Sequence, residues 1–551
     1  MSRKQRQREP ALLPEVDLAG IADTVARRTV QQVLNVVEDL AQRNAELRVE
    51  NQALRDELAR LKGEQAKPVI RPATQPTVPS DHSSEQERRD PRPRTPRAKT
   101  ALLVVDREQR LVCDRATLPA DAQRKGSTRV VVQDLRVVRE TVCFVREKWY
   151  APSTGKTYLA PLPPGYQGQF GPQLKQLALT LYWEAQLSEA SLLAFLRGAG
   201  VQISAGTLAT LLTEDRDLFA AEQRAVVTAG LGSSAVQQLD ATGTRVNGQP
   251  EQCHILCSPC YTAYRTLPHK DRLSVLTVLS NGAPLLHLAN AAAAAWLTQA
   301  GVAQATRAVL AALPQDAAVD ATTFAVLLGE HGAGLGPQQQ RWLREATAVA
   351  AYQAGLLGPV VETLLSDDAP EYTRLTARQA LCWVHDGRLY SKLVPYTAAN
   401  QRLLAEFRTD YWRFYRELRA YQAAPQAAEA VRLGAAFDRL FSRTTGYAAL
   451  DDRIAKTRAK REQLLLVLTD PTVPLHNNAA ELAARRRVRK RDVSFGPRTE
   501  QGKRAWDVFQ SLVETTRKLG VSFSAYVGDR LTGAGAVPRL DALLRAHALP
   551  A

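Results

Sequence analysis

The sequence predicts a helix-rich α+β protein of several domains, and three observations lead to this prediction. Residues 18–62 carry a heptad repeat typical of a coiled coil. Two separate stretches, residues 101–164 and 235–267, have the alternation and the β-branched composition of strands. Most of the remaining chain has helical periodicity. With 551 residues, of which 45% are hydrophobic, the chain is long enough to bury more than one core.

The charge and the cysteine content narrow the class of protein. A formal net charge of +16 and a pI near 9.7 indicate an anionic partner, and we expect double-stranded DNA. The chain has no run of 18 apolar residues and no apolar signal core at its start, so we expect no membrane contact. Its 6 cysteines are scattered, which is typical of a reducing compartment. The predicted location is cytoplasmic and nucleoid-associated.

A leucine-zipper pattern occupies the first predicted unit, residues 1–62. One seam position holds Val33, Leu40, Leu47, Leu54 and Leu61, and the alternate position holds Val37, Asn44, Asn51 and Leu58. Leucine at d with asparagine at a favours a parallel two-stranded coiled coil, so we expect a homodimer or a larger assembly. The alternative is a single amphipathic helix packed on its own protein, but the seam is narrower than such a helix needs. Residues 63–100 are rich in Pro, Ser and charge and are expected to form a disordered basic linker.

Residues 101–168 are predicted to form a small β-rich block. Five strand-like runs, from ALLVVD to KTYLAPLP, are separated by polar turns. Cys113 and Cys143 are the only thiols of this block and it has no histidine, whereas a structural zinc site needs four ligands. We therefore do not expect this block to bind metal.

Residues 169–231 have helical periodicity and contain a candidate helix-turn-helix. The segment SEASLLAFLRGAGVQISAGTLATLLTED predicts a helix, a turn with glycine, and a second helix capped by Ser204. Ser204 and Thr207 would then face a DNA groove. Any two short helices joined by a glycine turn give the same pattern, so the prediction of DNA contact depends mainly on the positive charge.

Three acidic residues follow a distinctive order of predicted elements. Asp240 lies just past one strand-like run, Asp367 ends another, and Glu481 opens a helix. Three strands, a helix, a strand with an acid and a helix with an acid are the order of a ribonuclease-H-like fold. Three carboxylates that converge there could hold two divalent cations, Mg²⁺ or Mn²⁺, because hard cations prefer oxygen ligands. Asp368, next to Asp367, leaves the second ligand uncertain by one residue.

The segment 474–504 combines Glu481 with a basic strip. Asn478 lies three residues before Glu481, which predicts a capping box at the start of the helix. One interpretation is a capped helix with a solvated basic face; the other is a metal-ligand carboxylate beside a phosphate-binding surface. The two other acids favour the second interpretation, in which Glu481 leaves the cap when metal and DNA bind. The predicted phosphate contacts are Arg485, Arg486, Arg489, Lys490, Arg491, Lys503 and Arg504.

Two cysteine patterns have competing interpretations. Cys253, Cys257 and Cys260 have the C-x3-C-x2-C spacing of radical S-adenosylmethionine enzymes, but they lie in apolar, strand-like runs instead of a loop after the first strand of a barrel. Buried structural cysteines explain them better. Cys382 and His385 form a lone C-x2-H, which we interpret as a packed pair at a strand end.

Several segments resemble bacterial DDE-type transposases of the insertion-sequence-66 family. Among them are QLDATGTRV, LLSDDAPEY, ALCWVHDGRLYSKL and PLHNNAAELAARRRVRKRDVS, and the resemblance covers residues 235–530. It implies that Asp240, Asp367 and Glu481 are a catalytic triad that binds Mg²⁺ or Mn²⁺. It also implies a ribonuclease-H-like domain over residues 232–535, with helical insertions at 288–358 and 387–470, and a tail over 536–551. Many relatives carry a zinc-binding cysteine set in the strand-rich block, so the resemblance implies that residues 101–168 are a degenerate zinc-ribbon-like block. Only Cys143 of that set remains here, and zinc is therefore not expected.

The function that the resemblance implies is cleavage at the ends of an insertion sequence, followed by strand transfer into target DNA. The partners would be the element ends, the target DNA and possible accessory proteins of the same element. The alternative is a transposase-derived DNA-binding regulator without catalysis. The retained acids favour the enzyme.

Overall fold

The computed structural model describes residues 20–61, 103–114, 117–119, 122–123, 126–135, 137–213 and 216–548. It is a helix-rich α+β structure, 54% helical, built around a mixed five-stranded sheet. The predicted linker, residues 63–100, and the start of the chain, residues 1–19, lie outside the described residues. Within the described part of the chain, no helix has both the length and the apolarity that crossing a bilayer requires.

Helix α1 (Thr24–Leu61) confirms the helix predicted for the heptad repeat. Four seam residues, Val33, Leu40, Leu47 and Leu54, are each 55–58% exposed. The side chains of Leu58 and Leu61 lie outside the described residues. The seam is therefore open to a second helix, and dimerisation stays a prediction.

The predicted β-rich block is wrong over most of its length. Its regular structure is one antiparallel hairpin, β1 (Lys148–Ala151) and β2 (Lys156–Leu159), while the other described residues from 103 to 147 form no strand. Val104, Val112 and Val145 are 86–94% exposed. Alternating apolar residues make a stable sheet only when strands pair and one face is buried, and the described structure supplies neither for these runs.

Four helices follow the hairpin and form the predicted helical block. They are α2 (Pro172–Leu179), α3 (Glu189–Gly198), α4 (Ala205–Thr213) and α5 (Arg216–Gly232), with a π-helical turn at Thr180–Glu184. Ser204 accepts a hydrogen bond from the Thr207 amide (3.1 Å), which confirms the predicted cap.

The sheet begins with three strands, as predicted, and they pair antiparallel. They are β3 (Val236–Val246), β4 (Gln249–Cys257) and β5 (Thr262–Leu267). The turn between β3 and β4 is Asn247-Gly248, both with positive φ, which is the favoured chemistry for a two-residue hairpin. The prediction that the strand ends at Asp240 is wrong, because pairing with β4 continues for six more residues, to Val246.

A mainly helical segment then separates the third strand from the fourth. Its elements are α6 (Arg272–Leu279), β6 (Leu286–Leu288), α7 (Ala291–Gln299), α8 (Gln304–Ala312), β7 (Ala318–Asp320), α9 (Ala321–His331) and α10 (Pro337–Gln353). Its apolar side chains join the main core, which also includes the sheet and α2–α5.

Two parallel strands complete the sheet, β8 (Thr363–Ser366) and β9 (Arg378–Leu381). The strand order is β5-β4-β3-β8-β9, so β3 is central. All four residues of β8 are buried, as expected of a strand covered on both faces.

A second helical segment has a core of its own. It contains α11 (Trp383–Tyr390), α12 (Ala398–Ala423), α13 (Ala427–Leu440), α14 (Ala448–Arg458) and α15 (Arg461–Leu464). Tyr411, Trp412, Phe414 and Tyr415 are at most 4% exposed. These aromatic side chains therefore belong to the core of this segment and are not available for stacking on DNA bases.

One face of α1 packs on this second segment. Gln31 donates a hydrogen bond to the Gly446 carbonyl (2.9 Å), and the buried Glu38 accepts from the amides of Tyr396 and Thr397 (2.9 and 3.2 Å) at the start of α12. In the heptad, Gln31 and Glu38 are at b positions, opposite the a/d seam. The alternative of a helix packed on its own protein is thus correct for one face, and the seam stays exposed.

The last helices are α16 (Asn478–Ser494), α17 (Glu500–Lys518), α18 (Phe523–Thr532) and α19 (Leu540–Ala548). Helices α16 and α17 cover one face of the sheet, and α19 packs on α5. The predicted tail over 536–551 is wrong for the part that α19 occupies, because Leu540 and Leu544 are completely buried.

Candidate active site

Asp240 and Asp367 lie level with each other on neighbouring parallel strands. The register pairs Gln238 of β3 with Leu365 of β8, and the two acids follow these residues at the same distance along the chain. Asp240 lies within β3, which continues beyond it, whereas Asp367 is the first residue after β8. Parallel pairing therefore brings one carboxylate from each strand to the same edge of the sheet.

Glu481 reaches the same edge from the first turn of α16. The Asn477 side chain, just before the helix, donates a hydrogen bond to the Leu239 carbonyl (2.8 Å), next to Asp240. The backbone N–H of Asn477 donates a hydrogen bond to the Cys382 sulfur (3.3 Å). These two bonds fix the start of α16 against the sheet and against α11.

The pKa of Asp240 is sensitive to both other acids. Burial raises it most, and the negative charges of Asp367 and Glu481 raise it further, to about 6. A hydrogen bond from the Ala241 amide (2.8 Å) and the charge of Lys270 act in the opposite direction. The three carboxylates therefore share one electrostatic environment.

Asp367 and Asp368 have different surroundings. Asp367 accepts a hydrogen bond from the Ala369 amide (3.2 Å) and its charge acts on Asp240. Asp368 forms an ion pair with Lys460 of the second helical segment, and its side chain is 47% exposed. Of the two alternatives in the sequence, Asp367 is thus the residue directed towards the other acids.

The predicted capping box does not form. The N-cap is Asn477, one residue earlier than predicted. Its side chain makes no cap bond, because the side-chain NH₂ group donates a hydrogen bond to the Leu239 carbonyl instead. Glu481 faces α11 instead: its Oε1 lies 3.3 Å from His385 Nε2 and 3.4 Å from Arg388 Nη1. The expectation that Glu481 leaves a cap on binding metal and DNA is therefore also wrong.

Sequence reasoning missed the contribution of α11 to this site. Cys382, His385 and Arg388 recur every three residues, which places them along one face of a helix that begins right after a strand. That spacing was the available signal. Burial lowers the pKa of His385, while the charge of Glu481 acts in the opposite direction.

Asp240 and Glu481 border an open cleft of about 430 Å³ between β3 and α16. Its lining residues are Asp240, Ala241, Thr242, Glu481, Ala484, Arg485, Val488 and Arg489. The residues from α16 have helical spacing and form one face that leads away from the acids. Arg485 and Arg489 are exposed on this face, as phosphate contacts require.

The prediction of phosphate contacts is wrong for two lysines, because their side chains are buried or nearly buried and bind groups of the protein itself. Lys490 is completely buried and donates hydrogen bonds to the carbonyls of Tyr182 and Leu187 (2.8 and 2.9 Å). Burial lowers its pKa to about 7, and its ammonium lies 3.3 Å from the centre of the Tyr182 ring. Lys503 is 12% exposed and pairs with Glu251 and Glu500 (3.0 and 2.9 Å). Both lysines hold α16 and α17 in the fold.

The other predicted cations differ in their availability. Arg486 pairs with Glu514 of α17, and Arg491 donates to the Gly243 carbonyl and lies 3.7 Å from Asp492. Arg504 is exposed. Ser204 and Thr207 are exposed at the start of α4, where their hydroxyls lie 2.8 Å apart.

Asp240, Asp367 and Glu481 do not form one compact metal-binding group. Within the described residues, the one group of three or more metal-binding side chains whose ligand atoms all lie within 4.8 Å of each other is Cys382, His385 and Glu481.

Comparisons with known proteins agree with the resemblance found in the sequence. A family model described as "Transposase IS66 family" matches residues 292–505, a segment that contains Asp367 and Glu481 and follows Asp240. An uncharacterized protein, y4jO, of Sinorhizobium fredii (strain NBRC 101917 / NGR234) is 35% identical over 323 residues, which are 58% of this chain and 99% of that relative. No solved structure matches.

Proposed function

The chain belongs to the IS66 family of transposases, and on that premise we propose that it binds the ends of an insertion sequence and catalyses metal-dependent DNA cleavage and strand transfer. The observation that carries the proposal is the approach of Asp240, Asp367 and Glu481 to one edge of the sheet, beside an open cleft.

The topology of the sheet supports this proposal. Three antiparallel strands are followed by two parallel ones, with β3 in the centre, and this arrangement is the one expected of a ribonuclease-H-like domain. The acids come from its first strand, from the end of its fourth strand and from a later helix. The two helical segments lie after the third and the fifth strand of this sheet.

The three carboxylates fit divalent cations such as Mg²⁺ or Mn²⁺. All three offer oxygen, the ligand that these ions prefer. Their mutual repulsion, visible in the raised pKa of Asp240, is the kind that a bound cation removes. When bound, two ions would activate the attacking oxygen and stabilise the leaving oxygen. Asp367, and not Asp368, would be the second ligand.

The chain's own side chains hold the DNA. Arg485 and Arg489 lie on the cleft face of α16 beside Glu481 and bind phosphates next to the scissile bond. Arg504 extends this surface, while Arg486 and Arg491 can contribute only if they give up the partners they have in the free protein. Ser204 and Thr207 contact DNA farther from the reaction.

In this proposal, dimerisation through the leucine zipper of α1 holds two DNA ends together. The exposed seam of α1 binds a second copy, and its opposite face stays docked on the second helical segment. This links the dimer directly to the segment whose α11 contacts Glu481. The net charge of +16 supports a cytoplasmic, nucleoid-associated location, and other proteins of the element can join this assembly.

The test uses the full-length protein and a DNA duplex with the inverted repeats that flank its own gene. We expect Mg²⁺-dependent nicking at the repeat ends and joining to a target plasmid. Asp240→Ala and Glu481→Gln should abolish both reactions while circular dichroism stays unchanged. Asp492→Asn, an exposed acid on the same helix as Glu481, should retain them.

One outcome would favour a regulator instead. Specific binding to the repeats, without nicking in Mg²⁺ or Mn²⁺, would mean that the family's DNA recognition is kept and its catalysis lost. Nicking that survives both acid substitutions would refute the site assignment.

A further inference from the structure

Cys382, His385 and Glu481 form a compact group in which each side chain offers a different ligand atom. A sulfur, a ring nitrogen and a carboxylate oxygen all lie within 4.8 Å of one another. The closest measured pair, His385 Nε2 and Glu481 Oε1, is 3.3 Å apart. Tetrahedral zinc with bonds of about 2.0–2.3 Å places its ligand atoms about 3.3–3.8 Å from each other. Small side-chain movements therefore suffice to close the group around one ion.

The fold, and not the local sequence, assembles this group. Cys382 lies directly between β9 and α11 and is the N-cap of α11. His385 follows three residues later on the same helical face. The Trp383 amide donates to the Leu475 carbonyl (3.0 Å), which brings the chain before α16 against the start of α11. The third ligand is thus 96 residues beyond His385, counted from 385 to 481, and the C-x2-H pair alone did not reveal it.

The surroundings of Cys382 and His385 suit ligands better than packing residues. The Cys382 sulfur accepts a hydrogen bond from the Asn477 amide (3.3 Å), the kind of contact that orients metal-bound thiolates. The His385 Nδ1 atom is buried and has no hydrogen-bond partner within the described residues. No described group therefore fixes the ring proton of His385 on Nδ1, so either ring nitrogen can present a lone pair to an ion.

We propose that Cys382, His385 and Glu481 bind a thiophilic divalent cation of the zinc class, and that this ion inhibits the proposed reaction by taking Glu481 away from the Mg²⁺ site. Sulfur and nitrogen ligands select zinc over magnesium, and three protein ligands leave a fourth position open. The binding site depends only on the geometry; the inhibition rests on the proposed function. The expectation of no zinc concerned the β-rich block, residues 101–168, and this group lies outside that block.

The charges around Glu481 set the condition for binding. Arg388 lies 3.4 Å from one oxygen and Arg485 lies 4.0 Å from the other, so in the metal-free protein two guanidinium groups face this carboxylate. Their side chains are 40% and 48% exposed. They can therefore turn into solvent when a cation replaces them, whereas Asp367 and Asp240 nearby favour the cation.

The first experiment titrates the full-length, reduced protein with Co²⁺, a spectroscopic substitute for zinc, and records the thiolate-to-cobalt absorption band. We expect about one equivalent to bind to wild type. Cys382→Ser should lose the band, and His385→Asn should weaken binding by at least about tenfold. Cys260→Ser, a half-buried cysteine outside the group, is the control and should retain the band. A band that survives Cys382→Ser, or its absence in wild type, would overturn the site.

The second experiment measures Zn²⁺ inhibition of Mg²⁺-dependent nicking. The nicking rate of each protein is expressed relative to its own rate without Zn²⁺, because His385 contacts Glu481 and its substitution can change the basal rate. On this scale, wild type should be inhibited at a Zn²⁺ concentration at least about tenfold lower than His385→Asn requires. Equal sensitivity of the two proteins would refute the inhibitory role. If the protein nicks no DNA under any condition, the proposed function fails, and the cobalt titration still decides separately whether the metal site exists.

Discussion

The single residue that best reports on the candidate site is Asp240. Its pKa is raised from the usual aspartate value of about 3.9 to about 6, mainly by burial and also by Asp367 and Glu481. The folded protein therefore binds this proton more tightly than the unfolded chain does. Ionised Asp240 destabilises the metal-free fold, fully above about pH 6 and hardly at all below about pH 4.

Replacing Asp240 with asparagine should therefore stabilise the metal-free protein at alkaline pH. We expect Asp240→Asn to raise the free energy of unfolding by up to about 3 kcal/mol at pH 8 and by much less at pH 4. Urea unfolding at the two pH values, with EDTA present, measures this difference. The control Asp368→Asn removes a half-exposed ion pair and should change stability by less than about 1 kcal/mol at both. A loss of stability in Asp240→Asn that is the same at both pH values would contradict this account.

Neighbouring cations of the basic strip are expected to differ in their effect on DNA binding. Arg489 is exposed in the cleft, whereas the Lys490 ammonium is buried on Tyr182. Arg489→Ala should reduce the slope of log affinity against log salt concentration by about 0.9, the value for one lost phosphate contact. Lys490→Met should leave that slope unchanged. Fluorescence anisotropy with a labelled repeat DNA at several salt concentrations measures both.

At the scale of elements, α16 shows what sequence patterns can and cannot give. Its extent near Glu481 and its basic character were predictable from the residues alone. Its inward face was not, because the partners that bury Arg487 and Lys490 come from distant parts of the chain: Asp507, Thr266 and the π-helical turn. The N-cap was misplaced by one residue for the same reason, since the Leu239 carbonyl takes the Asn477 side chain.

Helix α1 gives the element-scale prediction. Leu40→Ala combined with Leu47→Ala removes two exposed seam residues without touching the docked face. In the expected dimer these leucines are buried between the two helices, and each truncation of a buried leucine costs about 2–5 kcal/mol. The dimer dissociation constant should therefore rise at least about a hundredfold. Sedimentation velocity across a range of protein concentrations measures it. Gln32→Ala, exposed and off the seam, should have no effect. An unchanged dimer in the leucine variant would place the interface elsewhere.

At the scale of the whole molecule, the order of elements was more predictable than their tertiary partners. The strands β3, β4 and β5 were predictable from the alternation of apolar and polar residues. The order of the three acids along the chain suggested that the acids meet at one edge of the sheet. The strand-like runs before residue 148 have the same local pattern but find no partner strand among the described residues. Strand formation depends on pairing, which a local pattern does not determine.

The long-range parts of the candidate site lay beyond local patterns for a related reason. His385 and Arg388 reach Glu481 because the chain before α16 is tied to α11. The C-terminal helix α19 packs on α5, more than 300 residues earlier in the chain, and so is part of the core instead of a tail. Contacts between such distant segments are set by the assembled fold.

The most direct test of the central claim compares Asp367→Asn with Asp368→Asn in Mg²⁺-dependent nicking of the repeat DNA. The two residues are adjacent aspartates and are changed in the same way, but only Asp367 is directed towards Asp240. We expect Asp367→Asn to lose at least about a hundredfold in rate and Asp368→Asn to stay within a few-fold of wild type. Activity that survives in Asp367→Asn and is lost in Asp368→Asn would contradict the account.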